Sequence, residues 1–139
     1  MPVQVEIISP EKLLFRKEVE MAVIPGEEGD IAAMPDHAPI MLLLRGGVVS
    51  LYEGGVVTER FFVSGGFADI TADRCTILAD EALPIKDIVL TEAESRLETL
   101  ELQLTNVAAD DLADIERISR KIQATRAAIE AAEAAHPIY

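Results

Sequence analysis

The sequence predicts a β-sandwich or barrel over residues 1–86 followed by an antiparallel two-helix hairpin over residues 87–139. Three observations carry this reading. Up to Pro84, apolar and polar residues alternate with the period of two that half-buried strands require. Paired glycines at Gly46-Gly47, Gly54-Gly55 and Gly65-Gly66 divide the same region into short strands with turn signals about every 8–12 residues, a spacing typical of sandwiches and barrels. Beyond Asp87 the composition shifts to strong helix formers with few β-branched residues or glycines.

In chain order, Val3, Val5 and Ile7 mark a first inward-facing set, and Val19, Met21 and Val23 a second. Met41 to Leu44 and Phe61 to Val63 are apolar at successive positions, so both segments are expected where two sheets face each other. Phe67 and Ile70 follow, then Cys75, Ile77 and Ala79 with clean alternation. Thr91 and Glu94 have capping-box spacing, worth about 1 kcal/mol to a helix starting there. Ala93, Leu97, Leu100 and Leu104 share one face of that helix, and Asn106 to Asp110 reads as a turn. Ile115, Ile118, Ile122 and Ile129 form the stripe of the second helix. Its end is dominated by alanines 124, 127, 128, 131, 132, 134 and 135. Each Ala in place of a Leu gives up several groups worth about 0.8 kcal/mol apiece. The expectation is a weakly docked hairpin that can leave its bed.

The chain has 139 residues, room for one full domain and a small appendage, and its net charge is −13. Acids outnumber Lys and Arg both before and after residue 87, which disfavours nucleic acid and anionic membranes and favours a protein partner with basic patches. Cys75 is the only cysteine, so an intrachain disulfide is excluded and a buried, packing thiol is expected. With no leader pattern and no apolar run of membrane-spanning length, the expected chain is soluble and cytoplasmic.

The most distinctive segment is Pro25 to Pro39. Three prolines and two glycines shape it, and four acids with no Lys or Arg give it one sign of charge. It has the chemistry of a contact loop. Signals for catalysis are mostly missing: no phosphate loop, dinucleotide fingerprint, H-E-x-x-H or paired cysteines. Ser64 lies in Val-Ser-Gly-Gly, but Phe62 stands where a nucleophile elbow needs glycine. Asp36 and His37 could form an acid-base pair, although a hydrogen-bonded or interfacial loop histidine is the plainer reading. Glu27, Glu28 and Asp30 lack EF-hand spacing for calcium, and His136 lies at a tail expected to fray. Arg117, Arg120, Lys121 and Arg126 cluster on the second helix, either as an ion-paired solvated face or as a contact patch for an acidic partner.

Pro-Gly-Glu-Glu-Gly-Asp at 25–30, Met-Pro-Asp-His-Ala-Pro at 34–39 and Phe-Phe-Val-Ser-Gly-Gly-Phe-Ala-Asp-Ile at 61–70 resemble the epsilon subunit family of bacterial F-type ATP synthase, equivalent to the mitochondrial delta subunit. Val5 to Glu11 and Leu78 to Ala82 are similar to the same family. The resemblance implies about ten strands in the sandwich and a non-catalytic place in the rotor, with no cofactor. One surface of the sandwich would pack on the gamma subunit. Glu28, Asp30 and His37 would meet the polar loops of the c-ring, at the cytoplasmic face of the bacterial inner membrane. The hairpin would lie folded or extend toward the alpha and beta subunits, where Arg117, Arg120, Lys121 and Arg126 would make contact. Where the family's nucleotide motif has Asp and Arg, this chain has Val89 and Glu92. ATP binding in the family's manner is therefore not expected, and inhibition of hydrolysis should be weak at most.

Overall fold

The computed structural model describes residues 2–135, so His136 lies outside the described residues. Ten strands precede two helices, as predicted. They are β1 (Val3–Ile8), β2 (Leu13–Val19), β3 (Met21–Gly26), β4 (Gly29–Ala33), β5 (Ile40–Leu44), β6 (Gly47–Glu53), β7 (Val56–Val63), β8 (Gly66–Ile70), β9 (Arg74–Ala79) and β10 (Ala82–Pro84). A 3-10 turn, Ile85–Asp87, leads to α1 (Leu90–Asn106) and α2 (Leu112–Ala135).

The strands form two layers. One has the order β10-β7-β6-β3, with β4 on the free side of β3; the other has the order β5-β8-β9-β1-β2. They join along one path only through the Gly26–Leu44 pairing of β3 with β5. All strand pairs are antiparallel except β1 with β9, where Val5 lies beside Cys75 and Ile7 beside Ile77. On the opposite side the layers approach through Phe15 and Phe61, whose rings are tilted at 52° with centroids 4.8 Å apart, and through an ion pair of Lys17 and Glu53 at 3.3 Å.

Val3, Val5, Ile7, Ile24, Leu51, Ile70 and Ile77 are fully buried between the layers. Alternation predicts this for β1 and β9. It misplaces the phase in β3, where Ala22 and Ile24 point inward while Met21 and Val23 are only half-buried. The break at Glu20 between β2 and β3 inverts the parity that Val19 would otherwise carry forward, since a one-residue shift exchanges the faces of a strand.

The start of α1 also differs from expectation. Val89 occupies the capping position with no side-chain cap, and its carbonyl accepts from the Ala93 amide at 3.0 Å. Thr91 and Glu94 are therefore already inside the helix, out of capping-box register. The cap that does form is on α2: the Asp111 carboxylate accepts from the Asp114 amide at 3.1 Å. Asp111 followed three residues later by Asp114 is the sequence signal for it.

The hairpin contains two apolar clusters. Leu100, Ile118 and Ile122, with Leu97, Leu104 and Val107 around them, hold α1 to α2. Ala124 and Ala128 instead pack with Phe62 and Ile85 on the outer face of the first layer, with Val48, Leu83 and Ile88 beside them. Helix α2 thus changes partner near Gln123.

Candidate functional site

Two segments were expected to be apolar on both sides, and the structure treats their outward faces differently. In β7, Phe61 and Val63 point into the sandwich and Phe62 points outward, where α2 covers it. In β5, Leu44 is buried, but Met41 and Leu43 point outward and are 66% and 60% exposed. The expectation that Met41 to Leu44 lies wholly between sheets is therefore corrected. Successive side chains of a strand point to opposite faces, and nothing among the described residues covers the outer one.

Leu43 does not stand alone. It pairs across the strands with Phe67, Phe67 with Leu78, Leu78 with Ile8, and Ile8 with Leu13. A row of five apolar side chains therefore crosses the whole second layer on its outer face, spanning about 19 Å at about 4.8 Å per strand. Phe67 is 37% and Leu13 44% exposed. Below it runs a second row, which starts at the apolar Met41 and continues through the polar Asp69, Thr76, Glu6 and Arg16. There Glu6, the only buried acid among the described residues, accepts two bonds from Arg16 at 2.8 and 3.1 Å and has Arg74 3.9 Å away. A contiguous apolar row bordered by fixed charges is the anatomy of a protein contact. Sequence alone did not expose it, because its members come from five strands.

The segment Pro25 to Pro39 is split by β4 between opposite ends of the sandwich. Glu28 lies in the turn after β3 and Asp30 in β4, at the Leu44 end of β5. Five residues of β4 then carry the chain to Met34–Ala38, where Asp36 donates its amide to Ala72 beside the Ile70 end of β8. Glu28 and Asp30 are neighbours, whereas His37 is roughly a strand length, about 13 Å or more, from them. Asp36 adopts a positive φ of 66°, which Asp tolerates better than most residues. His37 is half-buried, and its Nδ1 lies 2.6 Å from the Ala38 carbonyl oxygen.

Asp30 is not a free charge. Arg45 lies 2.7 Å from its carboxylate and also donates to the Gly26 carbonyl, tying the two limbs of the β3–β4 turn together. Gly29 takes φ 138° in this turn, which explains glycine there even though a Cβ would meet open space. Among the described residues, no group of three His, Cys, Asp or Glu is arranged to hold a metal.

The four basic residues of α2 do not form one patch. Arg117 pairs with Asp114 at 3.0 Å along the helix, and Arg126 reaches across to Glu101 of α1 at 3.3 Å. Arg120 bonds Glu116 at 3.2 Å and leans toward Glu27 at 4.0 Å, while Lys121 is exposed. Ser64 bonds weakly to the Glu81 carbonyl at the Gly66 end of β8, and Asp36 and His37 lie at its other end. These three residues do not converge as a hydrolase would need. Cys75 is buried, and burial, reinforced by nearby Asp69, pushes its thiol up to about 12.

Residues 2–85 match the family described as ATP synthase, Delta/Epsilon chain, beta-sandwich domain. The ATP synthase epsilon chain of Gluconacetobacter diazotrophicus is 55% identical over 132 residues, covering 95% of this chain and 94% of that one. The chain belongs to the ATP synthase delta/epsilon family. The role that goes with membership is that of a central-stalk subunit. The epsilon chain of Granulibacter bethesdensis is 48% identical over 91% of this chain and 94% of its own. In fold, the chain is similar to a chain of the Euglena gracilis mitochondrial ATP synthase, with a TM-score of 0.74 at 22% identity, covering 94% of this chain and 81% of that one. No helix among the described residues is long and apolar enough to cross a membrane.

Proposed function

We infer that this chain is a non-catalytic rotor subunit of an F-type ATP synthase, which joins the c-ring to the gamma subunit and so passes ring rotation to the catalytic head. The observation that carries the reading is the uncovered row Leu13, Ile8, Leu78, Phe67 and Leu43 with Met41 at its edge. A face of this kind calls for a protein partner with an apolar contact surface, and the family resemblance implies gamma as the subunit that packs on the sandwich. The acidic turn at Glu28 and Asp30, shaped by Arg45 and Gly29, is the end that meets the polar loops of the ring. Charge there orients the encounter more than it adds affinity. His37, at the Met41 end of β5, belongs with the gamma contact instead.

The subunit acts peripherally, at the cytoplasmic face of the bacterial membrane, without inserting. The hairpin, folded on the first layer in this structure, is the element that can reach the alpha and beta subunits on extension. The direct test is co-purification with gamma. Leu43→Asp with Phe67→Asp should abolish the complex while leaving the sandwich folded; undiminished capture of gamma by this double variant would overturn the assignment of that face.

A further inference from the structure

The acidic turn and the hairpin meet at one dipeptide. Arg45 grips the turn through the Gly26 carbonyl and the Asp30 carboxylate, and its amide donates to Pro25 at 3.0 Å. The next residue, Gly46, is clasped by the hairpin: Gln123 accepts from its amide at 2.9 Å and donates to its carbonyl at 2.7 Å. No slack exists at this point, since a Cβ on Gly46 would lie 2.7 Å from the Ala124 methyl. A second bridge joins the same two parts, Arg120 of α2 standing 4.0 Å from Glu27 of the turn.

We propose that the Arg45-Gly46 corner and the Arg120–Glu27 pair couple the turn to the hairpin, so that a cationic partner on the turn loosens the hairpin, and a released hairpin makes the turn a better cation site. Two of the turn's three acids are already engaged, Asp30 by Arg45 and Glu27, at 4.0 Å, by Arg120, while Glu28 is exposed. An incoming guanidinium competes for both. Drawing Asp30 away removes one of the two holds that keep Arg45 on the turn, and with it the fixed position of the Gly46 peptide that Gln123 requires. Conversely, a departing hairpin takes Arg120 with it and leaves Glu27 unopposed. Binding linkage makes the two effects equal in size and opposite in direction of cause. Because the ion pairs are exposed, the coupling should be modest, about two- to fivefold. Only the identity of the cationic partner, the ring, rests on the proposed function; the coupling itself is a property of the isolated chain.

The test uses the full chain in solution at low ionic strength, with a tri-arginine peptide as the cationic probe. Arg45→Ala touches no hairpin side chain, yet it should raise amide exchange across Ala124 to Ala132 about threefold or more, while β1 and β9 keep their protection. Gln123→Ala should do the same. It should also bind the peptide about two- to fivefold more tightly than the unaltered chain, and adding Glu27→Gln should remove that gain. Unchanged hairpin exchange in Arg45→Ala, unchanged exchange in Gln123→Ala, or equal peptide affinity with and without Gln123 would each overturn the proposal. Any of these failures would leave the assignment of the gamma face, tested by co-purification, untouched.

Discussion

Gly46→Ala should unseat the hairpin. The new methyl would lie 2.7 Å from the Ala124 Cβ, whereas carbon atoms settle at about 3.5–4.0 Å. Helix α2 must therefore retreat by about 1 Å or the β5–β6 corner must deform. A retreat of that size carries the Gln123 bonds, now 2.9 and 2.7 Å, past useful hydrogen-bond length. Two such bonds contribute about 1 kcal/mol each, and lost contact of the Ala124 and Ala128 methyls adds up to about 0.8 kcal/mol apiece. The sum is about 2–4 kcal/mol, or about a 30- to 900-fold rise in the population of the undocked hairpin. Amide exchange separates this from general destabilisation. Residues 124–132 should exchange far faster, residues 115–122 less so because Leu100, Ile118 and Ile122 still hold the hairpin together, and β1 and β9 not at all. Exchange at residues 124–132 that matches the unaltered protein, or acceleration shared by all three regions, would refute the close-approach argument.

Gly29→Val should impair coupling of proton movement to ATP synthesis more than His37→Ala, because φ 138° suits only glycine while the imidazole bonds only its neighbour's carbonyl; proton-pumping assays giving the reverse order would count against a shape-driven dock. Cys75 should resist thiol reagents in the native protein and react only on unfolding, followed by mass shift. Its thiol moves from 9.0 to about 12, so between those pH values the unfolded chain releases a proton that the folded chain keeps, and stability should fall as pH rises. Removing residues 88–139 should raise ATP hydrolysis by the assembled enzyme only slightly. A large activation would show that Arg117, Arg120, Lys121 and Arg126 hold the head despite the hairpin's acidity.

Much of the sandwich was legible from local pattern. Val3, Val5 and Ile7, or Cys75, Ile77 and Ala79, alternate without interruption and are buried as alternation demands. Where a short break intervenes, as at Glu20, the phase is lost, because period-two reasoning cannot count residues spent in a turn. The alanine-rich end of α2 was legible as a helix but not as a seat. Small side chains give up burial area, yet they also let the helix backbone come within reach of Gly46, where Gln123 supplies two directed bonds. The capping box failed for a related reason: Thr91 and Glu94 have the right spacing, but the 3-10 turn ending at Asp87 delivers the chain to α1 with Val89 at the cap.

By itself the sequence determined the class of fold, the change from strand to helix near Pro84, the acidic character of the surface and the family, since each is written in short stretches of neighbouring residues. Only tertiary structure decided which of two doubly apolar strands is covered. Phe62 finds α2, while the outward side of Leu43 is left uncovered among the described residues. It also decided that Pro25 to Pro39 is not one surface, since β4 carries Asp30 and His37 to opposite ends. Alternation specifies that a side chain points to one face or the other; what lies on that face depends on strand order and on contacts far apart in sequence, and no local pattern records them.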